Sequence, residues 1–474
     1  MRSILRFPLV LLLASSTLVS TGDAPPAAAA TNPITHVVVI VLENRTFDNV
    51  LGYMCYLRST GARNGNACNG ATSGTRSDGQ TVPLVAEPNV RPDINHSHES
   101  QVKAMDGGKM DRFDLVLGCN ATTSPCLSQF KPDGTGKVFV PNTWNYATRY
   151  AIADHVFEPF TASSWGAHLE LAAGTIQKWH GNNPRTGTSG TTGKGWGCNS
   201  LKDAPWDATT TSMVQYPACV PDDTPNDGDL YPYKTPSAPY TPTIMDRLAA
   251  VYPDSATQPA WKIYVQSLTA AWSICATFYE CWAAEAGHKT HVVNPDTLPI
   301  DASGVNGATL PPFSFVIPKN FNSMHPSFSA ADGDNWMASM VDPILQGPQA
   351  NSTAIFVVWD DCACIYDHVN PLQYNVKWGP RVPLLIISPY AKAGYVSHTP
   401  TTFAGILAYA EHTLGLQPLG PQDTAAYNDT TGAAWFQDAF DYTQTPISPP
   451  AMQQTTTSSL DRDLITTLAH HRWS

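Results

Sequence analysis

Apolar residues gather in short, unbroken runs at 36–42, 261–266, 313–317, 354–359 and 383–388, rich in Val and Ile. A strand covered on both faces needs an apolar side chain at every position, so these runs predict buried parallel strands. Between and after them apolar residues recur at helical spacing. This predicts helices over 144–156, 165–173, 243–251, 334–345 and 403–414. Alternating strands and helices give the α/β class: a central, mostly parallel sheet with helices on both faces. Two stretches stand outside the pattern. Residues 182–241 are rich in Gly, Thr, Pro and Asp and predict a loop-rich insertion or cap. Its aromatics, Trp196, Trp206, Tyr216, Tyr231 and Tyr233, suit either an apolar ligand or a small core of their own. Residues 443–474 form a Pro/Gln/Thr/Ser-rich tail that ends in a short helix.

The first 30 residues are expected to be lost. Arg2 and Arg6 precede an apolar run from Phe7 to Leu13, and small residues lead to Ala27-Ala28-Ala29-Ala30. That is the order of a signal peptide with its cleavage site. The run is shorter than the roughly 20 residues of a membrane span, and no later run reaches that length. A secreted protein, periplasmic or extracellular, is the expectation.

Composition narrows the class. At about 100–200 residues per domain, 474 residues allow several domains or one large α/β domain with insertions. Charged residues are 14% and hydrophobic ones 42%, which excludes a disordered polyelectrolyte. A net charge of −12 argues against phosphate neutralisation, so no nucleic-acid partner is expected. The ten cysteines all lie beyond residue 30, and an even count in an exported chain favours disulfides. Near neighbours suggest Cys55–Cys68, Cys119–Cys126, Cys198–Cys219 and Cys275–Cys281, with Cys362 and Cys364 left over. No C-x-x-C pair supports a zinc site instead.

The chemistry begins where the strands stop. The first run ends on Glu43-Asn44 and the fourth on Asp360-Asp361. Open α/β sheets bind ligands beyond the carboxyl ends of their strands. Three carboxylates and an amide there suit a hard divalent metal ion, of identity the sequence leaves open. Histidines follow in Asn95-His96-Ser97-His98, His325-Pro326, Tyr366-Asp367-His368 and His398-Thr399. No G-x-S-x-G elbow, H-E-x-x-H helix, P-loop or C-x-P-x-R stretch occurs, so lipase-type, zincin, P-loop and sulfatase chemistry lose support.

Several blocks together carry a resemblance. Val41-Leu42-Glu43-Asn44-Arg45-Thr46-Phe47-Asp48 is followed by His96-Ser97-His98 and Gly108-Lys109-Met110-Asp111-Arg112-Phe113. Then come Trp359-Asp360-Asp361, Tyr366-Asp367-His368-Val369, Gly379-Pro380-Arg381-Val382-Pro383, Ser388-Pro389-Tyr390 and Gly394-Tyr395-Val396-Ser397-His398-Thr399. In this order they resemble the bacterial phosphoesterase family, of phospholipases C and acid phosphatases, within the alkaline phosphatase superfamily. The likeness runs from about Thr35 to Leu416, so residues 31–442 are expected to form one phosphoesterase domain. It implies a nucleophile in Ala162-Ser163-Ser164-Trp165-Gly166-Ala167-His168, where Ser164 falls on the family's Ser/Thr. The stretch departs from the family's Gly-Pro and Pro positions, which leaves Ser163 as the alternative. A serine opening a helix is often only a cap. The helix N-terminus would equally favour an alkoxide and a phosphate.

The resulting expectation is a metal-dependent phosphoesterase. Glu43, Asn44, Asp360 and Asp361 hold the metal, and Ser164 forms a phosphoseryl intermediate. His98, His325 and His398 stabilise the transferring oxygens or protonate the leaving group. His368 orients the Asp pair or adds a ligand, and His168 either supports the groups around the metal or packs in the core. Cys362 and Cys364 are expected in disulfides that brace the Asp361 loop. The motif cations Lys109, Arg45 and Arg381 are expected to serve structure. Little free positive charge and an aromatic insertion favour a phosphodiester substrate such as a phospholipid over a monoester. An inactive binding protein on the same fold is the contrasting class.

Overall fold

The computed structural model describes residues 31–472 apart from 123, 176–178, 180, 187–192, 194, 210–211, 221–240, 289 and 375–377. The proposed signal peptide, Tyr231 and Tyr233 lie outside the described residues.

An eight-stranded sheet forms the centre. In chain order its strands are β1 (His36–Leu42), β2 (Ala151–Ala153), β3 (Trp261–Tyr264), β4 (Val292–Val293), β5 (Phe313–Val316), β6 (Thr353–Trp359), β7 (Leu384–Ile387) and β8 (Val396–Ser397). Across the sheet they run β4-β3-β5-β1-β6-β7-β2-β8. Every residue of β6, and Val37–Leu42 of β1, is buried. Neighbouring residues point to opposite faces, so both faces are covered. That is why the runs do not alternate.

All pairings are parallel except those of β7, which is antiparallel to β6 and to β2. Here the expectation of a parallel strand at 383–388 is corrected. A parallel return needs a crossover, usually a helix. Between Trp359 and Leu384 the described chain offers only one short turn, Pro371–Tyr374. It therefore re-enters the sheet from the end at which it left.

Six helices matter below: α1 (Pro141–Arg149), α2 (Ser164–Ala173), α3 (Ile244–Val251), α4 (Ala330–Gln346), α5 (Ala404–Leu414) and α6 (Ser459–Arg472). The helix expected over 144–156 ends early. Tyr150 is extended, and Ala151-Ile152-Ala153 becomes β2, hydrogen-bonded between β7 and β8. Three buried residues are too few to show a period, so tertiary pairing decides them. Helix α3 starts from a capping box, Thr243 with Asp246. Helix α2 is buried along its whole length, packed against α5. The insertion is more ordered than expected. It carries a small antiparallel sheet of Arg185–Thr186, Lys202–Thr209 and Ser212–Pro217. The tail from 443 runs along the starts of α1 and α4. Gln453 exchanges hydrogen bonds with Asn142, and Thr457 bonds Asp332 and Ser329.

Four disulfides join the expected partners: Cys55–Cys68, Cys119–Cys126, Cys198–Cys219 and Cys275–Cys281. Cys362 and Cys364 contradict the expectation, for both are buried free thiols with sulfurs 3.9 Å apart. The loop needs no covalent brace. Ala363 and Cys364 take left-handed φ of 48° and 52°. The turn is held by Asp361 Oδ1, which accepts the Ala363 N–H, and Glu158 Oε1, which accepts that of Cys362.

Candidate active site at the carboxyl edge

Strands β1 and β6 pair in parallel, with Leu42 opposite Trp359. The residues after each strand therefore emerge side by side. Asn44 turns with φ 48°, a conformation Asn tolerates better than most residues. Its N–H donates to Asp360 Oδ1 at 2.9 Å, and the Asp361 N–H donates to the same oxygen at 2.7 Å. Glu43, Asn44, Asp360 and Asp361 are all buried.

Helix α2 brings two more groups. Ser164 is its first residue, and its hydroxyl donates to Asp361 Oδ2 at 3.0 Å. His168 lies four residues on, hence on the same helix face. Its Nε2 is 4.0 Å from Asp360 Oδ2, and Glu43, His168 and Asp360 can each turn a ligand atom to one point. The i, i+4 spacing from Ser164 is the signal that could have placed His168 in the site rather than leaving it as core. Burial pushes the His168 pKa down to about 4, which keeps the ring neutral and free to ligate. Burial and the neighbouring Asp361 push Asp360 up to about 7. Adjacent buried carboxylates behave so until a cation neutralises them. The Asn44 carboxamide is also buried with neither polar atom hydrogen-bonded. Such an orphan suits an oxygen-ligated metal better than a packed core. The donor set therefore fits a divalent ion.

Ser163 faces elsewhere. Its hydroxyl reaches the His96 carbonyl at 3.4 Å, and it sits at the N-cap of α2 without capping the helix. His96 was noted beside His98 but given no role, yet it feels the acidic pair. Against burial, Asp361, Asp93, the Ile94 carbonyl and Asp360 hold its pKa above 6.5. His325 stands edge-on to it at 5.4 Å between ring centroids. His98 stacks on Phe160, and its Nδ1 meets the Thr161 carbonyl at 2.9 Å. Two histidines separated by one residue at a helix start offered no sequence signal for which would turn inward.

His368 does not join the Asp360 cluster. The loop after β6 folds back on the segment after β1, where the Thr46 hydroxyl donates to the Tyr366 carbonyl. His368 Nδ1 lies 2.6 Å from Asp48 Oδ2, and Nε2 lies 2.9 Å from Asn69 Oδ1. Arg381 completes that group, paired with Asp367 and Asp48. His398 is apart as well, on Asp154 beyond β2 and with its side chain 59% exposed. The motif cations are partnered: Arg45 with Glu87, Arg381 as above, and Lys109 with Asp106. A cavity of about 580 Å³ opens beside Ser163, lined by Asp93, His96, Leu117, Arg185 and Trp196 among others.

The Phosphoesterase family profile matches residues 34–417. Among curated proteins, Non-specific phospholipase C6 of Arabidopsis thaliana is 22% identical over 395 residues, 77% of this chain and 63% of that protein. Non-specific phospholipase C3 of the same plant is 30% identical over 115 residues, 19% of this chain and 22% of that one. Hemolytic phospholipase C of Pseudomonas aeruginosa is 25% identical over 167 residues, 30% and 22% of the two chains. The matches thus span less than two thirds of these relatives' length. A solved protein in the alkaline phosphatase superfamily from Vibrio parahaemolyticus aligns over 85% of this chain and 74% of its own, at 9% identity and a TM-score of 0.35. No helix among the described residues is long and apolar enough to cross a membrane.

Proposed function

The chain belongs to the Phosphoesterase family, and on that premise we propose a secreted, metal-dependent phosphoesterase that cleaves phosphodiesters as a phospholipase C does, through Ser164. The observation that carries this reading is the Ser164 hydroxyl donating to Asp361, at a helix N-terminus and beside Glu43 and Asp360.

Ser164 Oγ attacks phosphorus while its proton passes to Asp361, already its hydrogen-bond partner. The positive end of the α2 dipole favours the charge on the phosphoryl oxygens. His96 gives a proton to the departing alcohol oxygen as the P–O bond breaks, with His325 packed against it. Water then attacks phosphorus and gives its proton to His96, restoring it, while the Ser164 O–P bond breaks and Asp361 returns its proton to Ser164. A divalent ion held by Glu43, Asn44, His168, Asp360 and Asp361 would lower the serine pKa and offset charge on the transferring oxygens.

Substrate class follows from charge and space. A monoester dianion calls for clustered free cations, whereas Arg45 and Arg381 are buried in ion pairs. The cavity beside Ser163, with Trp196 and Leu117 on its walls, has room for a second organic group. The phospholipase C names of the relatives agree with that choice. Arg185 on the same wall is the feature that favours the rival, an acid phosphatase. Four disulfides suit export to an oxidising compartment.

The test is side-by-side kinetics of the purified chain on an aryl choline phosphodiester and a matched aryl phosphate. The diester is expected to show the higher kcat/KM, activity to vanish with chelator and return with metal, and Ser164→Ala to cost several orders of magnitude while Ser163→Ala does not. A tenfold preference for the monoester would make the protein a phosphatase. Full activity of Ser164→Ala would end the covalent mechanism, and no turnover of either ester would leave a binding protein.

A further inference from the structure

We propose that Asp154, His155 and His398 form a second metal site, suited to zinc, on the same edge of the sheet as Glu43 and Asp360 but separate from them. The inference does not depend on the role of Ser164.

Strands β2 and β8 are parallel neighbours with Ala153 opposite Ser397. Their next residues, Asp154 and His398, therefore leave the carboxyl edge together, and His155 follows directly. From β6 to β2 is two strand spacings, roughly 10 Å, so this group lies well away from Asp360. Both imidazoles converge on one carboxylate oxygen. Asp154 Oδ1 is 2.7 Å from His155 Nδ1 and 3.0 Å from His398 Nδ1. All three ligand atoms lie within 4.8 Å of one another.

Zinc bonds of about 2.0–2.1 Å in a tetrahedron place ligand atoms about 3.3 Å apart. The Asp154–His155 and Asp154–His398 spacings need to open by about 0.6 Å and about 0.3 Å to reach that separation, and the exposed His398 side chain has the freedom to move. Two imidazole nitrogens beside one carboxylate suit zinc over calcium or magnesium, which take all-oxygen ligands. Three protein ligands leave the fourth position to water, on the side where His398 meets solvent.

The surroundings supply the support a metal site requires. Asp154 is buried, and its Oδ2 accepts the Asn69 N–H at 2.8 Å, which fixes the carboxylate. Arg381 donates to the Asp154 carbonyl at 2.7 Å, and its charge is matched by Asp48 and Asp367. Metal on Nδ1 moves each ring's proton to Nε2. For His155 that atom lies 3.4 Å from the Asn69 side-chain nitrogen, so a proton there requires Asn69 to turn its oxygen from His368 toward His155.

The rival is a carboxylate that merely accepts two imidazole N–H bonds. Zinc counted on the chelator-stripped full chain distinguishes them, with Asp360→Asn as the background that removes the first site. In that background one zinc is expected to remain, and cobalt in its place to give the visible absorption of a tetrahedral site. Adding His398→Gln, which keeps a donor toward Asp154, is expected to weaken this zinc at least tenfold, and His155→Gln to do the same by an independent change. Circular dichroism checks that each variant is folded. The proposal is overturned if the Asp360→Asn chain holds no zinc, or if its zinc affinity is unchanged by both histidine substitutions.

Discussion

At the scale of single residues, neighbours in sequence part company in space. Ser163 and Ser164 point to a carbonyl and a carboxylate respectively, and His96 and His98 likewise divide between the acidic pair and Thr161. A His96→Asn change is therefore expected to lower kcat by about 10²–10⁴ if the ring is the general acid. His98→Ala is expected to cost less than tenfold. Equal losses in the two variants would remove His96 from that role. The cysteines give a second check. Eight are paired and two are free, so denaturing titration is expected to count two thiols per chain. A count of zero would mean that Cys362 and Cys364 are joined after all. Sequence could not separate these cases, since an even cysteine total allows either.

At the scale of elements, the long apolar runs were legible and the short ones were not. Strand β1 matches its sequence expectation residue for residue, and β6 is one residue longer, because each fills a doubly covered position in the sheet. Strands β2, β4 and β8 are two or three residues long and exist only through their partners. Helix α4 was expected from Asp334, yet it starts at Ala330 behind the Ser329 cap. The reason is Asp334 itself, which is buried and polar. Its carboxylate accepts the Asn142 N–H, the Thr143 N–H and the Thr143 hydroxyl, and so caps α1 from another helix. Asp334→Ala would leave those buried donors unmatched. A loss on the order of 3 kcal/mol is expected in denaturant unfolding, since each unmatched buried donor costs about 1–3 kcal/mol. A loss below about 0.5 kcal/mol would show that water or repacking replaces the cap.

At the scale of the whole molecule, a chain with few charges puts many of them inside. Glu43, Asp360 and Asp361 were readable because they follow apolar runs. Asp154 was hidden because its strand read as helix, and Glu411 because nothing local marks an acid on α5 as buried. Glu411 shows what that burial does to the entire fold. Burial first, and the neighbouring Asp423 second, push its carboxyl up to about 10. Asp423 accepts the N–H groups of Leu419, Gly420 and Thr424, so the pair anchors the turn that follows α5. An acid whose pKa is higher folded than unfolded favours the fold fully below its unfolded value of 4.5. That advantage erodes as pH rises from there toward 10, because the unfolded chain releases the proton and the folded one keeps it. The slope is at most about 1.4 kcal/mol per pH unit for one group. Glu411→Gln keeps a neutral side chain of the same shape and removes this linkage. Its unfolding free energy is expected to fall less steeply than the wild type's between pH 5 and 9, with the two curves diverging in the variant's favour as pH rises. Parallel curves would mean that Glu411 is already ionised in the folded protein.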